Sequence, residues 1–506
     1  MTIRVQANHK YIDEIQSVAQ IFFPHARFRS DETPLYTITS LIENGEVYAE
    51  IIAEDKHAGI LPARHCLSTA DRPTYLNDKR MAMLAVYHLM QNTIGAYAPW
   101  GALTGVRPTK MVREWLANGQ SDNEIFHELQ STLCVHEDRA KLAVAVAHAE
   151  NHLANKINPS SVIASEAKQS RACSNLGSST PLGLYISIPF CPSRCVYCSF
   201  NTSHTPWGED AQARYIQAVV SECREVSYNL RETGNRISSL YIGGGTPTAL
   251  TDSLLESLLN ALQETATPTE YTVEAGRPDT ITRSNLQLMR KYGVNRVSIN
   301  PQTMNDRTLE TIGRNHTISD FLRAFQMARE EGFTTINTDI IAGLPGEGPE
   351  DMRHTMDTLA ALKPENITIH TLAVKRASKL NEHRTENALS NYALPDAKPI
   401  ESQLKIAHDD CIALGLSPYY LYRQKNMAAL FENTGYSLPG HECLYNVGMM
   451  SEVQTVLGVG AGAVSKFIEG TKITRKFNVK NPEIYIERAC QHDTAFSKTT
   501  KPKGMF

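Results

Sequence analysis

No run of about 18 apolar residues, the minimum for a membrane-spanning helix, occurs in the 506-residue sequence, so no membrane span is expected. The start, MTIRVQANHKYIDEIQ, holds no apolar stretch of signal-peptide length, which argues against export. Excess charge is also missing. Lys and Arg number 50 against 54 Asp and Glu, and so balanced a chain offers no electrostatic handle for nucleic acid. Cysteine is too thin, at 10 residues, for a disulfide-built secreted scaffold. Together these absences point to a cytoplasmic protein. What is present suits a globular chain with a real core: 42% hydrophobic and 21% charged residues. The length suggests about three domains at roughly 100–200 residues each.

The cysteines are unevenly spread. Cys66, Cys134, Cys173, Cys223, Cys411, Cys443 and Cys490 are scattered, whereas Cys191, Cys195 and Cys198 are crowded together. In a reducing compartment such crowding points to a metal site or redox chemistry.

Residues 1–156 read as an N-terminal α+β accessory domain. LYTITSLIENGEVYAEII predicts two strands joined at Asn44-Gly45, a dipeptide suited to a type I′ turn. Helical patterns follow at about 77–96, 109–118, 123–133 and 136–156. Residues 157–181, rich in Ser, Ala and Asn without apolar period, read as a linker or insertion. From 182 to 375 strand-like runs recur: GLYISIPF, SLYIGGG, EYTVEA, NRVSIN, INTDIIAGLP and NITIHTLAV. Helical segments lie between them, at about 207–230, 251–265, 281–292, 317–331 and 349–362. The alternation predicts an α/β fold of parallel βα units, closing as a barrel or opening as a doubly wound sheet. In either case the active site belongs at the C-terminal ends of the strands. Residues 376–506 read as a C-terminal α+β region covering the barrel, with a Gly-rich strand-like piece, VLGVGAGAVSKF. Its aromatic-basic run, Tyr419, Tyr420, Tyr422, Arg423 and Lys425, is either a half-buried strand with solvated charges or a surface for a flat, anionic ring system.

The chemically distinctive motif is IPFCPSRCVYCSF, which places Cys191, Cys195 and Cys198 at C-x3-C-x2-C spacing directly after the first strand of the series. Three thiolates on one loop suit a [4Fe–4S] cluster whose fourth iron stays open for a ligand. The alternatives are a zinc site, which normally takes four ligands, and three inert cysteines. Gly243-Gly244-Gly245-Thr246-Pro247 after the second strand is either a tight turn or a place where backbone approaches a ligand closely. Glu274 ends the third strand, where a carboxylate is well placed for a site.

A C-x3-C-x2-C loop in this position resembles the radical S-adenosylmethionine (SAM) superfamily, whose fold is a partial (β/α)6 TIM-like barrel. Tyr185, Ile188-Pro189-Phe190-Cys191 and Tyr197-Cys198 are similar to the oxygen-independent coproporphyrinogen III oxidase group. SINPQTMND, YYLYRQKNM and WGALTGVRPTK look closest to its HemZ-type coproporphyrinogen dehydrogenases. The resemblance implies that Cys191, Cys195 and Cys198 ligate the cluster. It places SAM contacts at Tyr185, Tyr197, Gly244, Gly245, Thr246, Glu274 and Val464, and a second SAM region at Gln302, Arg314, Asp339 and Ala373. It further implies a monomer in heme biosynthesis, reduced by a donor such as flavodoxin or ferredoxin, that converts propionates of coproporphyrinogen III to the vinyl groups of protoporphyrinogen IX. Three positions depart from the family pattern. Ser187 replaces its usual His, and Ala275-Gly276-Arg277-Pro278 replaces its frequent Asn-Pro or Asp-Pro. Phe200 stands where the well-studied oxidases carry a further cysteine, as it does in related heme-trafficking proteins. Two other readings therefore stand beside the first: another radical SAM reaction on a tetrapyrrole, such as methyl transfer or heme ring opening, and a heme-binding trafficking protein.

Overall fold

The computed structural model describes residues 1–23, 26–29, 32–54, 59–70, 73, 75–95, 98–105, 107–158, 181–199, 208–375, 378–380, 396–424, 430–470 and 472–496. Most of the expected linker, and also Cys173, Phe200 and Lys425, lie outside the described residues. The chain divides into two compact units, Met1–Val144 and Ala145–Phe506, with the division inside a long helix, Glu137–Ile157.

The first unit is built on a five-stranded sheet of order β2-β1-β3-β4-β5. Its strands are β1 (Thr2–Ala7), β2 (Arg27–Phe28), β3 (Tyr36–Glu43), β4 (Glu46–Ala53) and β5 (Ala63–Ser68). β3 and β4 form the hairpin that the Asn44-Gly45 dipeptide predicts, with φ of 52° and 78° at the two turn residues. Both angles are left-handed, as a type I′ turn demands. Helices Ile12–Phe22 and Asp78–Thr93 bring Ile15, Val18, Phe22, Leu84 and Met90 into the core. The stretch expected as one helix over 123–133 is an α-helix, Asp122–His127, that passes into a π turn, Glu128–Thr132.

The second unit holds the βα series. Its strands are β6 (Pro181–Ile188), β7 (Arg236–Gly244), β8 (Glu270–Gly276), β9 (Arg296–Ile299), β10 (Ile336–Ala342) and β11 (Asn366–Thr371). They are parallel and adjacent in sequence order. A doubly wound sheet reverses its order at a switch point; this one does not. Monotonic order with right-handed crossovers places every crossover helix on one face and curls the other face inward. The result is a partial, TIM-like barrel. Its helices are Glu209–Thr233, Asp252–Thr265, Arg283–Lys291, Ile318–Glu330 and Pro349–Leu362, with a short extra one, Asp306–Thr311. The strands are buried along nearly their whole length, as parallel strands covered on both faces must be. Leu184, Leu240, Val273, Ile340, Leu258 and Phe325 belong to one continuous core, each such burial stabilising by about 1.5–3 kcal/mol.

Strands from beyond residue 376 join both edges of this sheet. β12 (Ser417–Tyr422) and β13 (Asn433–Ser437) extend it antiparallel beyond β11. β14 (Val456–Val459) pairs parallel with β6, followed by β15 (Val464–Glu469) and β16 (Lys472–Phe477). VLGVGAGAVSKF is thus the β14–β15 hairpin, and the tyrosine run is β12. No helix among the described residues is long and apolar enough to cross a membrane.

Candidate active site

A cavity of about 350 Å³ opens where β6–β11 end. The loop after β6 contributes Cys191, Cys195, Tyr197 and Cys198, and the turn after β7 contributes Gly244, Gly245 and Thr246. Glu274 of β8, Gln302 after β9, Arg314, Asp339 of β10 and Ala373 after β11 are further lining residues that the sequence nominated. Seven separate loops or strand ends therefore converge on one space, which no single local motif could arrange.

Tyr185 and Val464 do not line it. Tyr185 lies mid-strand on β6, its ring 6.3 Å from that of Tyr241 and 6.0 Å from that of Tyr445. Tyr241 is itself part of the lining, so Tyr185 acts as its backing. Val464 opens β15 opposite Phe477 and packs its backbone against Gly458, away from the cavity.

The cysteine loop is tied to the glycine turn by backbone. Gly245 N donates to Ile188 O at 2.5 Å and Thr246 N to Phe190 O at 2.6 Å. A Cβ on Gly245 would stand 2.4 Å from Phe190 O and 2.8 Å from Ile188 O, so only glycine permits the approach. Thr246 Oγ1 lies 3.3 Å from Cys191 Sγ. From the other side Ser193 Oγ donates to Gly313 O at 3.1 Å, and Val196 N to Ile312 O at 3.0 Å.

Burial pushes the Cys191 thiol up to about 11, with Thr246 and Arg277 opposing and Cys198 and Cys195 adding. The three sulfurs are free of disulfides and near enough to feel one another. Cationic groups face them: Arg277 Nη1 is 3.8 Å from Cys195 Sγ, and the Arg314 charge also interacts with Cys195. Among the described residues no three His, Cys, Asp or Glu side chains stand as a closed metal-binding set. The loop thus presents three separate thiols, with no fourth cysteine among the described lining residues. A donor set of three thiols facing guanidinium groups fits an anionic iron–sulfur cluster with one iron left open.

The remaining wall fits a polar, cationic ligand. Burial pushes the Glu274 carboxyl up to about 7, reinforced by the Asp339 charge and opposed by Tyr241, His370 and Arg314. Burial also pushes Asp339 upward, but His370, Asn337 and Thr368 outweigh it and leave its carboxyl below the usual range. His370 Nε2 is 3.6 Å from Asp339 Oδ2, and Asn337 Nδ2 donates to Asp339 Oδ1 at 2.8 Å. Two carboxyls in one cavity are thus pushed apart, as functional sites commonly arrange. Arg314 Nη1 donates to Asn300 O at 2.7 Å, while its buried Nε has no partner. Gln302 sits at φ 71°, its N–H donating to Asp339 O at 3.0 Å. A non-glycine residue in this region costs of order 1–3 kcal/mol and is often held for function.

Several lining residues escaped the sequence reading as site members: Arg277, Asn300, His370, Lys375 and Tyr241. Arg277, Asn300, His370 and Lys375 lie at or just past a strand's end, the position that carried the argument for Glu274, whereas Tyr241 sits within β7, paired with Tyr185. In the aromatic-basic run, Tyr420 and Tyr422 line the cavity with rings 6.3 Å apart and 7° from parallel. Tyr419 instead faces Asn366, and Arg423 donates to Leu430 O at 2.8 Å. The run is therefore both strand and cavity wall.

The pattern of the radical SAM superfamily matches residues 185–359. Across 99% of this chain and the whole of the relative, the sequence is 32% identical to the oxygen-independent coproporphyrinogen-III oxidase-like protein HemZ of Bacillus subtilis. It is 30% identical to the heme chaperone HemW of the same organism, over 59% of this chain and 74% of that one. The Escherichia coli heme chaperone HemW is 28% identical over 64% of this chain and 81% of its own. Among solved structures, the coproporphyrinogen III oxidase HemN of Escherichia coli covers 62% of this chain and 70% of its own, at 23% identity and a TM-score of 0.49.

Proposed function

Because the chain belongs to the radical SAM superfamily, among the oxygen-independent coproporphyrinogen-III oxidase-like proteins, we propose that it converts coproporphyrinogen III to protoporphyrinogen IX. Each of two propionates would lose a hydrogen atom, CO2 and one electron, leaving a vinyl group. The observation that carries this reading is the convergence of the three cysteines, the glycine turn and two buried carboxyls on one cavity at the strand ends. Membership of the superfamily implies a [4Fe–4S] cluster and SAM. When bound, they supply a carbon-centred radical able to take hydrogen from an unactivated C–H bond.

The chain's own residues have the other tasks. Cys191, Cys195 and Cys198 would each hold one iron. Gly244, Gly245 and Thr246 would present backbone to SAM, with Tyr197 closing that side and Glu274 facing its positive charge. Gln302, Arg314, Asp339 and Ala373 would hold a second polar ligand, a further SAM in the family's pattern. Tyr185 would act through Tyr241. The cavity's 350 Å³ is at the small end of the roughly 300–1,000 Å³ of ligand sites. A tetrapyrrole would therefore offer one propionate edge at a time, against Tyr420 and Tyr422. We place the protein in the cytoplasm as a monomer, reduced by flavodoxin or ferredoxin.

A second reading, heme trafficking, is favoured by the likeness to the two heme chaperones. Coproporphyrinogen deuterated on its propionate side chains separates the two. An oxidase transfers deuterium into 5′-deoxyadenosine; unlabelled 5′-deoxyadenosine beside intact tetrapyrrole would refute the proposal and favour trafficking.

SAM affinity should depend on pH through Glu274. Its carboxyl titrates near 7 in the fold, so it is largely neutral at lower pH and anionic above. A cationic ligand binds the anionic form, so Kd should fall roughly tenfold between pH 6 and 8, following the ionised fraction. Glu274→Gln should flatten the profile. Calorimetric titration checks this, and a wild-type Kd independent of pH would contradict the role.

A further inference from the structure

We infer that Arg277 is a positioning residue of the cysteine loop whose guanidinium raises the reduction potential of the cluster bound there. The inference rests on the cluster reading above. Arg277 follows β8 and is only 3% exposed. One edge of its guanidinium is held by Asp279, with Nε 3.2 Å from Oδ1 and Nη2 3.3 Å from Oδ2. That bidentate grip fixes the plane of the group and aims Nη1 across the cavity wall. Nη1 donates to Ser193 Oγ at 2.9 Å and Ser193 O at 3.3 Å, and lies 3.8 Å from Cys195 Sγ. Ser193 is anchored in turn to Gly313 O. The strand end, the loop and the turn at Gly313 are thus joined through one cation.

A side chain so buried would normally be a pure scaffold, and a structural lysine or glutamine could serve. The contact with a ligand sulfur makes the difference. A hydrogen bond and a positive charge beside a cluster thiolate stabilise the more negative, reduced state. The couple is one electron, passed from the donor to the oxidised cluster. Arg277 is nearly all buried, so its field is weakly screened. Asp279 opposes that field from behind, so the pair sets the potential by difference.

The test is the midpoint potential of anaerobically reconstituted protein, followed by electron paramagnetic resonance against dithionite, with iron and sulfide measured on the same samples. Arg277→Gln keeps a donor for Ser193 but removes the charge. It should shift the reduction equilibrium at least tenfold toward the oxidised cluster, about 59 mV downward for one electron. Arg277→Lys should recover most of the shift. Asp279→Asn removes the opposing charge and should move the potential upward. A purely structural role predicts iron loss or instability without opposed shifts. Potentials that stay put, or move the same way in Arg277→Gln and Asp279→Asn, would overturn the inference. Should Arg277→Gln fail to hold iron, Asp279→Asn decides: an upward shift supports the inference, and none or a downward one refutes it. Wild-type protein that takes up no four-iron cluster would refute the cluster reading itself, and this inference with it.

Discussion

Alanine at Cys191, Cys195 or Cys198 is expected to cut bound iron to a small fraction of wild type and to abolish SAM-dependent 5′-deoxyadenosine formation. Each substitution removes one of three thiols on a loop whose cavity holds no other cysteine among the described residues, so no neighbour can replace it. Folding should survive, because each change deletes one sulfur at the edge of a cavity, not in a packed core. Cys66→Ala should keep both iron and activity, since Cys66 is exposed on β5 of the other unit. Iron and sulfide analysis with chromatography of 5′-deoxyadenosine provides the check. Equal losses at Cys66 and at the three loop positions would mean that the effect is on folding, not ligation.

Gly245→Ala should be nearly as damaging without touching a ligand. Its Cβ would meet Phe190 O at 2.4 Å and Ile188 O at 2.8 Å. Both are backbone atoms with no rotamer to escape into. The stability cost should be about 1–3 kcal/mol, the usual range for overpacking. Phe190 directly precedes Cys191, so the strain passes to the first cysteine. A displacement that costs about 2.7 kcal/mol in the transition state lowers turnover about a hundredfold. Gly105→Ala, where a Cβ meets nothing within 4 Å, should stay within about 0.5 kcal/mol of wild type. Thermal melting and 5′-deoxyadenosine yield report the two effects. Wild-type yield from Gly245→Ala would show that the backbone tie between the two loops does not matter.

The barrel was legible because its signals are local. Apolar runs such as SLYIGGG and NITIHTLAV become β7 and β11, and the Asn44-Gly45 dipeptide becomes a hairpin turn with both residues left-handed. The choice between barrel and doubly wound sheet was not local. It depends on strand order, which only pairing decides. The same holds beyond residue 376: VLGVGAGAVSKF reads as strand-like and the tyrosine run admits a strand, yet nothing in their sequence says that they extend the same sheet from both edges, and β13 and β16 carry no such signal. In the site, the cysteine loop and glycine turn announce themselves by spacing and composition. Arg277 and His370 do not, because a lone arginine or histidine in a sequence is usually a surface group. Burial at 3% and a sulfur 3.8 Å away distinguish Arg277, and both are properties of the fold. Tyr185 illustrates the reverse case. The motif singles it out, but its mid-strand position sets it behind Tyr241 and outside the lining.

The most direct test of the account is an anaerobic incubation of the reconstituted protein with a reductant, SAM and coproporphyrinogen III, read by mass spectrometry of the tetrapyrrole. The account predicts a product lighter by two CO2 and four hydrogen atoms, with 5′-deoxyadenosine formed in step and both lost in Cys195→Ala. A tetrapyrrole of unchanged mass, or one that has gained carbon or opened to a linear form, would contradict it.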